Sequence, residues 1–160
     1  MTEGRNGDEC GFPMSLAMLR LRIVHRRSHY ALMMAYERLN AWKVAHEFAV
    51  AVYRATQAFP KSELYGLTSQ IRRAAFSVPA NIAEGAAKPG CTEFRRFLDI
   101  ALGSFAEVSY ALVFARDVGL LSQADYVRLD QQRVTVGKLT WGLYARISRG
   151  ARGGVREKGA

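Results

Sequence analysis

A proline interrupts a helical pattern near the middle of this chain. Between Leu64 and Ile82, apolar residues recur at three- and four-residue steps, which is the spacing of one buried helical face. Pro79 lies inside this pattern, where a proline removes one backbone hydrogen bond and crowds the preceding turn, at a cost of about 3 kcal/mol. Other interactions of this helix must therefore offset the cost of the proline.

Polar residues follow the opposite side of the same segment, at Gln70, Arg73, Ser77, Asn81 and Glu84. Residues at this spacing share one face of a helix, so the row is either a buried hydrogen-bond network or a binding stripe. A buried arginine stays charged and needs acceptors, which Glu84 or Glu107 would supply to Arg73. We therefore predict a structural polar network. Its members are Gln70, Arg73, Asn81, Glu84 and Glu107.

The charge of the chain favours an anionic partner. It has 23 Lys and Arg against 14 Asp and Glu, a formal net charge of +9 with a pI near 10.0. Such an excess suits RNA, DNA or an acidic protein surface. Fifteen basic and ten acidic residues lie within 36–149, and the two ends carry the remaining excess. Both the central part and the ends therefore contribute to the positive charge.

The N-terminal part of the chain has no regular pattern. Residues 1–35 pass from a Gly- and acid-rich start to a Met-, Leu- and Arg-rich stretch, which we interpret as a disordered extension. Arg20 and Arg22 interrupt its apolar run, so neither a signal peptide nor a membrane contact is predicted. Cys10 and Cys91 have no metal-ligand spacing and allow at most one disulfide. A cytoplasmic location fits these features best.

Four amphipathic segments predict an all-α fold. Their bounds are 36–59, 62–87, 92–119 and 122–149, with Ser62 and Thr92 as N-caps, a capping box from Ser122 to Asp125, and Gly150 ending the last helix. Because the connections are short and no strand pattern or repeat occurs, we predict an antiparallel up-and-down four-helix bundle over 36–149. A basic tail at 150–160 follows.

Gly103 falls inside the third predicted helix. A glycine in a helix interior costs about 1 kcal/mol relative to alanine. We expect close packing of the second and third helices to explain its presence.

Seven basic residues are predicted to contact phosphate groups. Lys88, Arg95 and Arg96 cluster around the turn between the second and third helices, and Arg72 points away from its neighbour Arg73. No aromatic residues interleave with these charges, so we expect binding by charge and shape without base stacking. An ordinary solvated charged surface is the alternative. The full set is Arg72, Lys88, Arg95, Arg96, Arg116, Arg128 and Arg133.

The sequence offers no set of catalytic or metal-binding residues. His46 has no Glu-x-x-His partner of the kind that builds di-iron sites in bundles. A glycine-rich phosphate loop, a nucleophile elbow and a Cys–His pair are also missing from the sequence. An enzyme built on Gln70, Asn81, Glu84 and Glu107 would lack a nucleophile or metal set. We therefore predict no enzymatic activity, no cofactor and no metal.

Two segments together resemble a known family. They are YGLTSQIRRAAFSVPANIAEG at 65–85 and FRRFLDIALGSFAE at 94–107. With Trp42 and the Phe59–Pro60 pair they resemble the bacterial 23S rRNA intervening-sequence proteins. That family is similar to the accessory variability proteins of diversity-generating retroelements. The resemblance covers about 36–149.

The resemblance implies a four-helix bundle that assembles as a homopentamer and has no known enzymatic activity. It also implies association with nucleic acid, because members are encoded in ribosomal RNA insertions or beside reverse transcriptases. We therefore predict a non-enzymatic oligomer that binds RNA or DNA by phosphate contacts, with little sequence preference. The alternative is a protein-interaction adaptor, for example an accessory subunit of a reverse transcriptase.

Overall fold

The computed structural model describes residues 35–156, which form an all-α fold. The helices are α1 (Asn40–Ala55), α2 (Leu67–Ala86), α3 (Cys91–Asp117) and α4 (Gln123–Arg156). Short 3₁₀ turns occupy Ala35–Arg38, Thr56–Ala58 and Lys61–Glu63, and no strand occurs in this part of the chain. The predicted all-α class is confirmed. Residues 1–34 of the predicted extension lie outside the described residues. Residues 157–160 of the predicted basic tail also lie outside them.

The four helices pack as a bundle around one core. Each helix packs against the next one along the chain, and α1 also packs against α4. Every helix contributes fully buried side chains, among them Phe48, Ile71, Leu98 and Leu129. Each such side chain stabilises the fold by about 1.5–3 kcal/mol relative to an exposed position.

α2 continues through Pro79, as the sequence predicts. Pro79 has no N–H, so α2 lacks the backbone hydrogen bond to the carbonyl of Ala75. The apolar face around it is buried, with Ile71, Val78 and Ile82 fully enclosed. Burial of these three side chains, at about 1.5–3 kcal/mol each, exceeds the cost of about 3 kcal/mol for the proline.

The ends of α1 and the start of α2 differ from the prediction. The 3₁₀ turns at Ala35–Arg38 and Thr56–Ala58 replace the predicted α-helical ends of α1. The Leu67 N–H, at the start of α2, donates to Glu63 Oε2 at 3.3 Å. Ser62 is therefore not the N-cap, because α2 begins later and Gly66 occupies that position, while the carboxylate of Glu63 accepts from the first helical N–H.

The start of α3 and the end of α4 also differ from the prediction. Gly90 has φ = 85°, a conformation that favours glycine, and α3 begins directly after it. Thr92 therefore lies inside the first turn and is not the N-cap. α4 passes through Gly150 and ends at Arg156. An interior glycine costs only about 1 kcal/mol, so Gly150 does not end the helix.

The close approach of α2 and α3 occurs at Gly85 rather than at Gly103. A Cβ at Gly85 would lie 2.6 Å from Phe94 Cδ2 and 2.8 Å from Phe97 Cβ. A Cβ at Gly103 would meet nothing within 4 Å, and Gly103 is exposed. The predicted packing role of Gly103 is therefore wrong, because this residue lies on the outer side of α3.

The predicted capping box at the start of α4 is confirmed. The Asp125 N–H donates to Ser122 Oγ at 3.0 Å, and Ser122 Oγ donates to Asp125 Oδ2 at 2.8 Å. Arg128 Nη2 lies 2.8 Å from Asp125 Oδ1. The hydrogen bond from Arg128, followed by the one from Ser122, lowers the pKa of Asp125.

Ser122→Ala should lower the free energy of unfolding by about 1 kcal/mol, because it removes this cap. The lowered pKa of Asp125 stabilises the fold above the ordinary aspartate pKa, and this contribution is lost as the pH falls through the folded-state value. The difference between parent and variant should therefore narrow below about pH 4. Urea denaturation across pH 3–7 measures it, with exposed Ser69→Ala as the control. Equal stabilities of Ser122→Ala and the parent at pH 7 would contradict the cap.

Candidate nucleic-acid interface

The turn between α2 and α3 brings three of the predicted cations together. Lys88 Nζ lies 5.4 Å and Arg96 Cζ 4.4 Å from the centre of the Phe97 ring. Arg95 is half-buried, and its buried Nε has no hydrogen-bond partner among the described residues. We call Lys88, Arg95 and Arg96 the basic turn. Phe97 does lie among these cations, but it is buried and cannot stack with a base.

Two cations of the basic turn have acidic partners. Lys88 Nζ lies 3.5 Å from Glu84 Oε1, and Arg96 Nε lies 3.2 Å from Glu93 Oε2. Both pairs are solvent-exposed and join residues three or four positions apart. Such pairs contribute about 0.3–0.5 kcal/mol each, so a phosphate group can compete for either cation.

Three other predicted phosphate contacts lie at the end of α3 and along the first half of α4. Each of them is paired with a carboxylate: Arg116 with Asp117, Arg128 with Asp125 and Arg133 with Asp130, at 2.7, 2.8 and 2.6 Å. The hydrogen bond to Asp117 raises the pKa of Arg116. The 21 helical steps from Arg95 to Arg116 span about 30 Å along α3. These residues therefore do not share a surface with the basic turn.

Arg72 contacts α1. Its Nε donates to Thr56 Oγ1 at 2.8 Å, and its Cζ lies 4.1 Å from the centre of the Tyr53 ring. The prediction that Arg72 points freely outward is therefore wrong, because the side chain joins α2 to α1.

An open groove of about 370 Å³ runs between α1 and α2 beside Arg72. Its lining is mainly apolar and aromatic, and the Trp42 ring stacks on His46 with centres 5.3 Å apart. The lining residues include no carboxylate, serine or cysteine. No group of three or more His, Cys, Asp or Glu that could hold a metal ion occurs within 35–156.

The predicted polar network is divided into separate contacts. Arg73 Nη2 donates to Gln70 Oε1 at 2.7 Å and lies 3.7 Å from Glu107 Oε1 on α3. The Arg73 side chain is 71% exposed, so the prediction of a buried arginine is wrong. Glu84 does not join these residues, because it pairs with Lys88. The row thus lies along the rim between α2 and α3.

Asn81 belongs to a different, half-buried contact. Its Nδ2 donates to the backbone carbonyl of Ser77 at 2.8 Å and to Ser77 Oγ at 2.9 Å. Ser104 Oγ on α3 donates to the same Ser77 Oγ at 2.9 Å. These three side chains join α2 to α3. Ser104 was not among the predicted members of the network, because its position in the sequence gives no sign of this contact.

Three residues of α4 form a surface that the sequence pattern did not predict. Lys138 and Arg149 are exposed, and Trp141 is 61% exposed between them. A Cβ at Gly150 would lie 3.2 Å from Cys91 Sγ, so the Arg149 end of this surface lies beside the start of α3 and near the basic turn. A Cβ at Gly137 would lie 3.2 Å from the Phe105 ring, so the Lys138 end lies beside the middle of α3. The available signal was the sequence of α4 after Asp130, which has basic residues but no acidic residue as far as Arg156.

The fold and the basic surface together define a class of small helical-bundle proteins. The described residues form an all-α bundle with a basic turn. Residues 37–142 match the 23S rRNA-intervening sequence protein family, and because the match covers more than half of the chain, the chain belongs to that family. The predicted resemblance to the 23S rRNA intervening-sequence proteins is confirmed.

The chain is also similar to a solved structure. It is a protein of unknown function from the S23 ribosomal protein family of Bacteroides thetaiotaomicron VPI-5482. The two share 22% sequence identity with a TM-score of 0.58, over 65% of this chain and 97% of the other. At this identity the similarity supports the fold alone. A comparison with curated proteins gives no match. The relation to the accessory proteins of retroelements stays a prediction.

Proposed function

We propose that this protein is a non-enzymatic homopentamer of helical bundles that binds RNA or DNA through phosphate contacts at the basic turn. The convergence of Lys88, Arg95 and Arg96 at one turn carries this proposal, because only two weak ion pairs oppose their charge. Arg95 adds a third cation, which forms no ion pair with the described residues. A ring of copies would repeat the turn and increase avidity.

We also infer that neighbouring helices run antiparallel. Contacts from α2 to α3 pair residue 73 with 107, 77 with 104 and 85 with 94, so one number rises while the other falls. From α3 to α4, position 137 lies against Phe105 and position 150 against Cys91. This arrangement supports one basic end of the bundle, where the α2–α3 turn meets the C-terminal part of α4.

Self-association is supported by the outer surface of α3. Ile100, Gly103, Glu107, Tyr110 and Phe114 follow alternating three- and four-residue steps and are all exposed. This is the spacing of a seam that packs against another helix. By length and composition α3 is apolar enough to cross a membrane. Only 33% of its most apolar 18-residue segment is buried in the protomer, so much of this apolar surface is exposed. We propose that a second copy covers this surface, which we call the α3 stripe.

The nucleic-acid proposal predicts a difference between two triple variants. The variant with Gln at Lys88, Arg95 and Arg96 should bind a labelled RNA or DNA duplex at least about tenfold more weakly at low salt. The slope of log K against log salt concentration should fall in magnitude by roughly 2–3, since each phosphate contact on a duplex contributes about 0.9. Fluorescence anisotropy at several salt concentrations measures both quantities.

The matched control changes Arg116, Arg128 and Arg133 to Gln. It removes the same charge away from the basic turn and should leave binding nearly unchanged. An equal loss of nucleic-acid affinity in the two triple variants would exclude the basic turn as the binding site. A parent protein that binds no nucleic acid at low salt would overturn the proposed function.

A further inference from the structure

The indole of Trp141 is presented on the outer surface of α4. It is 61% exposed, and it stacks on Tyr144 with ring centres 5.4 Å apart and an interplanar angle of 28°. The neighbouring position is open, because a Cβ at Gly142 would meet nothing within 4 Å. A flat aromatic pair beside an open helix surface is a suitable platform for another planar ring.

The charged residues that flank Trp141 along the C-terminal half of α4 are all basic. Lys138 precedes it by three residues and Arg149 follows by eight, and neither forms an ion pair with the described residues. α4 has no acidic residue after Asp130. The 11 steps from Lys138 to Arg149 span about 16 Å at 1.5 Å per residue, which leaves room for several nucleotides.

The surroundings of Trp141 distinguish this surface from the α3 stripe. The residues three or four positions away along the helix are Gly137, Lys138, Tyr144 and Ala145, so a cation and small residues adjoin Trp141. The exposed apolar residues Val127 and Val134 lie seven or more positions before it. Exposed aromatic rings combined with unpaired cations are the means by which proteins hold single strands without sequence preference. An apolar partner helix would leave the unpaired cations without acceptors.

We propose that Lys138, Trp141, Tyr144 and Arg149 form a stacking site for the bases of single-stranded nucleic acid, with the cations contacting the flanking phosphates. This inference rests on the proposed function and deepens it, because it specifies the form of nucleic acid. Duplex contacts belong to the basic turn, whereas a base can reach Trp141 only when it is unpaired.

The test uses the full chain with Trp42→Phe, which leaves Trp141 as the sole tryptophan. Addition of a twenty-residue oligothymidylate at low salt should quench its fluorescence. Trp141→Ala in the parent should weaken oligothymidylate binding about 5- to 150-fold, the range for loss of one stacked base. Duplex affinity should change less than about threefold, because the basic turn is intact.

Two controls separate stacking from charge and from general aromatic contact. Tyr65→Ala, which removes an aromatic side chain that is 92% exposed elsewhere, should not affect binding. Lys138→Gln with Arg149→Gln should reduce the salt dependence for the single strand, by about 0.7 per phosphate contact.

Three results would overturn the inference. The first is an equal affinity of Trp141→Ala and the parent for oligothymidylate. In that case duplex binding would be unaffected and the proposed function would stand. The second is a shift of Trp141 fluorescence emission that depends on protein concentration but not on oligothymidylate. This result would assign the surface to contacts between copies. Failure of the parent to bind either form of nucleic acid would overturn both proposals.

Discussion

Replacing Gly85 by alanine is expected to lower the free energy of unfolding by about 1–3 kcal/mol. The direction is opposite to the usual one, because alanine is favoured over glycine in a helix interior by about 1 kcal/mol. The new Cβ would lie 2.6 Å from Phe94 Cδ2 and 2.8 Å from Phe97 Cβ. Carbon atoms pack at about 3.5–4.0 Å, and the Cβ of Phe97 is fixed by its backbone, so α2 and α3 would have to separate.

The matched control is Gly142→Ala on α4. Its Cβ would meet nothing within 4 Å, so the variant should gain up to about 1 kcal/mol. Urea denaturation at one protein concentration compares the two variants. Adding Phe94→Leu to Gly85→Ala should recover part of the loss, because the nearest ring atom is removed. Stabilisation of Gly85→Ala similar to that of Gly142→Ala would show that α2 and α3 are not in close contact there.

The sequence was sufficient to predict the helices, because their signals are local. Apolar periodicity located the four segments, and the Ser122–Asp125 spacing predicted a cap that depends on atoms three residues apart. The passage of α2 through Pro79 was also predictable, since the apolar face continued on both sides of it. Ser62 and Thr92 were misassigned because a serine or threonine near a helix start does not show where the first helical turn forms.

The roles of particular residues could not be predicted, because they depend on the rotation of each helix. Gly85 and Gly103 look alike in the sequence, yet one faces α3 and the other faces solvent. The polar row on α2 was identified, but its position at the rim made Arg73 exposed rather than buried. The basic residues could be identified from their charge alone. Trp141 could not be identified, because periodicity does not show which aromatic side chains are exposed on the helix surface.

Gly103→Trp is expected to abolish self-association without unfolding the protomer. The space beyond Gly103 is empty in the protomer, so an indole can be added without a clash, and the helix loses an unfavourable glycine. If a second copy covers the α3 stripe, the same indole prevents its approach. Sedimentation velocity should give an assembly for the parent and a species near 17.8 kDa for the variant. Circular dichroism should show unchanged helix content.

Two further variants distinguish the α3 stripe from other surfaces. Gly142→Trp introduces the same side chain at an open position on α4 and should assemble like the parent. Tyr110→Glu with Phe114→Glu should give monomers, because two buried carboxylates without partners would oppose the contact. Assembly of Gly103→Trp that equals that of Gly142→Trp would exclude the α3 stripe. A monomeric parent would leave the exposed apolar residues of α3 to a different partner, since the protomer itself does not cover them.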